Sequence, residues 1–226
     1  MSPVYSAVCF ASRTGRVSAP PLPQLRLPAH HQEALAELLP VLLCGEESAA
    51  LAFARFSGNS EFSQRARAEL ASIADDEQRH ERQLQALRHA LPPATADTEV
   101  RQAARRFFAR AARRDPGEHF ASIAALDSGV CALLGALRNR GAPLAADRTV
   151  TAILSRIHRD EARHVMAARR YTQLLLDRRQ AHAVGLEMRV RLAALLALRG
   201  AAIETLGVNA DLVLRRMRSV PRTLFG

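Results

Sequence analysis

The stretch Asp75 to Gln83, "DDEQRHERQ", puts acids, an arginine and a histidine inside what otherwise reads as a buried helix. At about 100° per residue, Ala66, Leu70, Ile73, Leu84 and Leu87 fall on one apolar face, and Glu77 and His80 fall on that same face. The chain repeats the pattern at His158 to Met166, "HRDEARHVM", so D-E-x-R-H occurs twice. In the second copy Val150, Leu154, Ile157, Val165, Ala168 and Leu175 make the stripe, with Glu161 and His164 inside it. A buried ionised carboxylate is costly unless it is paired or coordinates a metal. Residues three apart share a helix face, so each Glu-x-x-His pair can reach one ion. Two such pairs on facing helices predict a metal site.

Working outward, helical patterns cover about 29–56, 60–90, 97–114, 116–139, 144–180 and 184–206, with a short amphipathic tail at about 208–219. The breaks between them have recognisable chemistry. "SGNS" (57–60) turns the chain, "LPPATADT" (91–98) stops the second helix, and "NRGAP" (139–143) separates two later ones. Asp115-Pro116-Gly117-Glu118 offers an N-cap, a proline at the first helical position and an acid at the third. Two helical pairs joined by a crossover at 91–115 follow the plan of a ferritin-like four-helix bundle. The expected organisation is a proline-rich extended arm at 1–28, the bundle at 29–180, and a helical extension packed on it at 181–226.

The remaining carboxylates of a di-metal site must come from the other two bundle helices. On the first, the stripe is Leu35, Leu38, Leu39, Leu42, Ala49, Phe53 and Phe56. Glu46 lies at its centre, while the adjacent Glu47 points about 100° away, so Glu46 is the expected ligand. On the third bundle helix, Asp127 sits among Phe120, Ile123, Val130, Cys131 and Leu134, and Glu118 reads as a capping acid. Four carboxylates (Glu46, Glu77, Asp127, Glu161) then balance two divalent cations, and His80 and His164 complete the set. Mixed oxygen and imidazole ligation suits iron or manganese. Asp76 and Asp160, one residue before each glutamate, are placed to accept the outer ring N–H of the histidine on the opposite motif. Arg79 and Arg163 can neutralise these acids from the rim. His158, one turn before Glu161, is a candidate third histidine ligand. Glu204 is a weaker candidate, Cys131 reads as a packing residue near the pocket, and His30, His31, His89, His119 and His182 read as surface or helix-end residues.

Composition narrows the function classes. The net charge is +10, yet every basic residue is arginine and the arginines are spread along the helices, which argues against a nucleic-acid tract. Three cysteines without C-x-x-C spacing point to a reducing compartment and to neither disulfides nor zinc. No secretory signal and no apolar run of membrane-spanning length is apparent, so a cytoplasmic protein without membrane contact is expected.

The paired D-E-x-R-H motifs over about residues 30–180 resemble the ferritin-like di-iron carboxylate oxidase and oxygenase superfamily, closest in pattern to bacterial multicomponent monooxygenases and the ribonucleotide reductase small subunit. The spacings of 31 residues from Glu46 to Glu77 and 34 from Asp127 to Glu161 are similar to that branch. The resemblance implies two iron ions (with manganese able to replace one), O2 as co-substrate, a small organic substrate, and an electron donor such as a ferredoxin or its reductase. A homodimer is left open. The reductase subunit keeps a radical tyrosine at the position held here by Leu84, so a radical-generating role is not implied. Iron or peroxide handling of the ferritin or rubrerythrin kind, and hydroxylation of a tRNA base, are the competing expectations.

Overall fold

The computed structural model describes residues 24–94 and 97–226, and all regular structure among them is helical. Eight α-helices follow in order: α1 Ala29–Ser57, α2 Gln64–His89, α3 Asp97–Ala111, α4 Pro116–Leu137, α5 Arg148–Leu175, α6 Arg178–Ala197, α7 Gly200–Thr205 and α8 Ala210–Met217. The caps are those that the chain's polar residues dictate. Ser63 accepts the Ala66 N–H at the start of α2, and Asp115 accepts the Glu118 N–H at 2.9 Å at the start of α4. Pro116 opens α4, where no intrahelical N–H is needed.

Packing follows the apolar stripes. α1 lies along α2, α4 along α5, and α2 also meets α5, so the two motif-bearing helices face each other. Leu35, Leu38, Leu39, Phe53, Leu70, Leu84, Leu87, Phe120, Leu134, Val150 and Leu154 are essentially sealed from solvent. Each such leucine contributes about 1.5–3 kcal/mol relative to an exposed one. α3 covers α1, and α6 covers α4. These two helices form an outer layer over one side of the four long ones.

The helix boundaries depart from the sequence pattern most clearly at 144–180 and 184–206. The pattern at 144–180 is not one helix. A 3-10 turn at Pro143–Ala146 precedes α5, and Asp147 caps α5 by accepting the Thr149 and Val150 N–H groups at 2.9 and 3.0 Å. Asp177 then starts α6 by accepting the Arg179 and Gln180 N–H groups at 2.8 and 3.0 Å. The pattern at 184–206 breaks at Leu198–Arg199, and Gly207, with φ of 77°, turns the chain from α7 towards α8. Leu175, assigned to the core stripe of α5, is 46% exposed because the helix ends there.

Residues 24–28 close onto the bundle, with Leu27 buried and the Arg26 N–H donating to Asp147 Oδ2 at 2.6 Å. The rest of the proline-rich arm, and Cys9 with it, lies outside the described residues. One described helix, α4, is long and apolar enough to cross a membrane, contrary to the sequence reading; in this fold most of it is buried between its neighbours. The extension is held by Arg189 of α6, which is buried without a carboxylate. Its guanidinium donates to the Met217 and Arg216 carbonyls at 3.0 and 3.1 Å and to Ser128 Oγ at 2.6 Å. The first two are carbonyls at the negative end of α8, which stand in for a counter-ion.

Candidate metal centre

Glu46 from α1, Glu77 and His80 from α2, and Glu161 from α5 bring one potential ligand atom each into a buried group whose atoms all lie within 4.8 Å of one another. His80 turns Nδ1 inward, 3.2 Å from Glu46 Oε2, 3.5 Å from Glu77 Oε2 and 3.7 Å from Glu161 Oε1. His164 does the same from α5, with Nδ1 2.8 Å from Glu77 Oε1 and 3.9 Å from Glu161 Oε1. Glu77 and Glu161 therefore each face both histidines, while Glu46 lies on the His80 side. Asp127 of α4 is buried beside this group and lines the same cavity as Glu46, Glu77 and Glu161. All six residues expected from the sequence are thus brought to the bundle interior, with Asp127 and His164 just outside the tight group of four.

The outward sides of the histidines are equally ordered. His80 Nε2 is 3.1 Å from Asp160 Oδ2, and His164 Nε2 is 3.4 Å from Asp76 Oδ2. Each aspartate serves the histidine of the other motif, as the helix phases predict. Donation from Nε2–H to the aspartate leaves Nδ1 as the inward lone pair. Arg163 closes the rim by donating to Asp160 at 2.6 Å and to Asp76 at 3.2 Å, and Arg79 also donates to Asp76. Burial alone would raise the Asp160 carboxyl, but Arg163 and His80 overcome it and hold Asp160 below the usual range, as an anion.

The interior holds several buried polar atoms without a partner. Glu77 Oε1 and Oε2, Asp127 Oδ2 and His164 Nδ1 are buried and have no hydrogen-bond partner. Although His164 Nδ1 and Glu77 Oε1 are only 2.8 Å apart, they are not aligned for N–H donation. Two lone pairs aimed at a common point between them would have that geometry. Burial, then repulsion from Glu161, pushes Glu77 well above the carboxylate range, and Asp127 is raised in the same way by burial, Glu161 and Glu77. Glu161 is likewise raised, chiefly by burial. Burial would lower His80, but the facing carboxylates of Glu161, Glu46 and Glu77 outweigh it and raise this imidazole. Without a cation the cluster must retain protons, which is the behaviour of a set of donors that fits divalent ions.

Other candidates separate from the cluster. Glu47 is half-buried and faces Glu81, Arg105 and Arg101 rather than the interior group. His158 turns to α4, where it bonds to the Cys131 backbone and sits near Gly135, so it is not placed among the ligands. Glu204 is exposed on α7. Cys131 does not line the cavity; its thiol is pushed up to about 12 by burial and by Glu161 and Asp127.

His119 departs from the expectation of a surface or helix-end residue: it is buried at 7% exposure and lines the cavity that runs to the cluster. Its signal was available: it precedes Asp127 by eight residues, about 80° around the helix, so it shares the inward side of α4. The cavity, about 50 Å³, is walled by apolar residues of α1, α3, α4 and α6. Comparison with protein families, with characterised proteins and with solved structures finds no match to this chain.

Proposed function

We propose that this chain is an O2-activating di-iron oxidase or oxygenase with a ferritin-like bundle, acting on a small organic substrate and reduced by a separate electron donor. The observation that carries the reading is the crossed arrangement of the two motifs, with both Nδ1 atoms pointing in and both Nε2 atoms held by the opposite aspartate. Glu46 and His80 would hold one ion, Asp127 and His164 the other, and Glu77 and Glu161 would reach both. Four carboxylates match the charge of two divalent cations, so the loaded cluster is neutral in a dry interior. When bound, a reduced iron pair supplies electrons and Lewis acidity for reaction with O2.

The chain's own groups account for the rest. Asp76 and Asp160 fix the tautomer of each histidine and increase its basicity. Val41, Leu42, Ile123, Leu126 and Leu133 line the approach and keep bulk water from the oxidising centre. An apolar cavity ending on the four carboxylates supports an enzyme over an iron store, which needs no organic pocket. The basic surface would attract an acidic electron donor.

Anaerobic loading with ferrous iron followed by metal analysis tests this reading. About two irons per chain are expected from the two ligand sets, and fewer would sink the assignment. The loaded protein should then consume O2, with a change in its optical spectrum. Glu77→Ala and Glu161→Ala should each abolish that consumption while circular dichroism shows the helices intact.

A further inference from the structure

The cavity beside the cluster contains a polar group that the metal chemistry does not use. Along its length the walls are Val41, Leu42, Phe108, Ile123, Leu126 and Leu196, and away from the carboxylates the polar side chains are Ser48, Ser122 and His119. Ser122 is already engaged, donating to the Glu118 carbonyl at 2.9 Å. His119 is not. Its ring packs edge-on to Phe56 at 5.2 Å, and its Nδ1 is buried with no partner. An imidazole nitrogen left bare in a dry wall is costly, and a leucine there would fill similar space without that cost. The ring also carries no charge to bind an anion by itself: burial, with the neighbouring Arg55 and Arg113, lowers it to about 4. Arg113 is in turn balanced by Glu187 at 2.7 Å.

We infer that His119 is the anchor for the uncharged oxygen head, a hydroxyl or carbonyl, of a slender aliphatic substrate whose tail runs along α4 towards Asp127. Eight residues of helix separate the two positions by about 12 Å along the axis, which places the reacting carbon several bonds from the head. The other end of the cavity is walled by Glu46, Glu77, Asp127 and Glu161. The assignment names the substrate class of the proposed oxygenase and so rests on that reading, but binding of the head needs no iron.

The test is a ligand-observed NMR titration of the full chain with hexanol, hexane and hexanoate. His119→Leu should weaken hexanol binding by about tenfold, the effect of one lost hydrogen bond, and leave hexane binding unchanged. His119→Gln, which retains a donor and an acceptor, should stay within about threefold of the parent. Equal hexanol affinity in the parent and His119→Leu would overturn the anchor. An equal loss for hexane would also overturn it, making His119 a packing residue. Hexanoate binding more tightly than hexanol would overturn the neutral head. Failure to load iron would remove the oxygenase reading and leave these affinities interpretable, whereas a missing anchor leaves the metal centre untouched.

Discussion

At the scale of single residues, the aspartates that hold the histidines are as informative as the ligands. Asp160→Asn keeps the shape of the side chain but removes the charge that orients His80 from 3.1 Å away. Metal affinity should fall by roughly 10–100-fold, measured by competition with a chelator, while the helical signal is unchanged. An unaltered affinity would mean that Asp160 only pairs with Arg163. The buried imidazole of His119 makes a separate prediction with a definite sign. Its folded value of about 4 lies below the ordinary 6.5. Between these values the unfolded chain binds a proton that the native chain refuses, so the stability contribution is present above 6.5 and lost as the pH falls towards 4. At about 1.4 kcal/mol per unit, up to about 3 kcal/mol is lost across that window. In urea unfolding of chelator-treated protein, the carboxylates contribute equally to both chains, so the stability difference between the parent and His119→Gln should change by this amount between the two ends of the window. Charged groups in a stripe or at its edge were legible because phase alone decides where Glu77 or Asp160 points. His119 carries only part of such a signal: its phase puts it on the inward side of α4, but a histidine in the first turn of an apolar helix has the same phase whether a cap or a cavity lies above it.

At the scale of elements, periodicity located the long helices well, and local capping chemistry decided where they stop. Asp147 and Asp177 end the reach of the pattern because each offers a carboxylate to two free N–H groups. The apolar repeat runs on past both, so a reading by period passes over them. Gly207 is the sharpest such point. It has a positive φ of 77°, and an added Cβ would lie 2.6 Å from Pro143 Cδ of the 3-10 turn. Gly207→Ala should therefore destabilise the chain by about 1–3 kcal/mol, through both backbone strain and the displaced turn. The loss should appear as a lower urea midpoint with an unchanged slope. Because the turn from α7 to α8 is remote from the ligands, iron stoichiometry should be unaffected, which separates a fold defect from a site defect.

For the whole molecule, the net charge of +10 is less available than it looks. Arg170 pairs with Glu69, Arg199 with Glu37 and Arg113 with Glu187 across the fold, and Arg191 pairs with Glu187 within α6, so part of the arginine complement is neutralised in place. The dominant electrostatic cost lies inside, where Glu77, Asp127 and Glu161 are raised above the carboxylate range by burial and by each other. In the metal-free chain these groups keep protons that the unfolded chain releases above about pH 4.5, so native stability falls as the pH rises. His80, raised above 6.5, acts in the same direction from that pH upward. Divalent ions take the place of those protons and reverse the penalty. An ion present at a thousandfold over its dissociation constant adds about 4 kcal/mol per site by mass action. For a chain of this length that amounts to roughly 8–16 °C in melting temperature per site. Differential scanning calorimetry under anaerobic ferrous iron should show this shift growing from pH 6 to about pH 8, since proton competition weakens as the pH rises. Glu77→Gln, which removes a charge that both ion positions share, should show little shift at any pH. A parent protein whose melting temperature ignores iron throughout would show that the buried carboxylates are satisfied by protons alone.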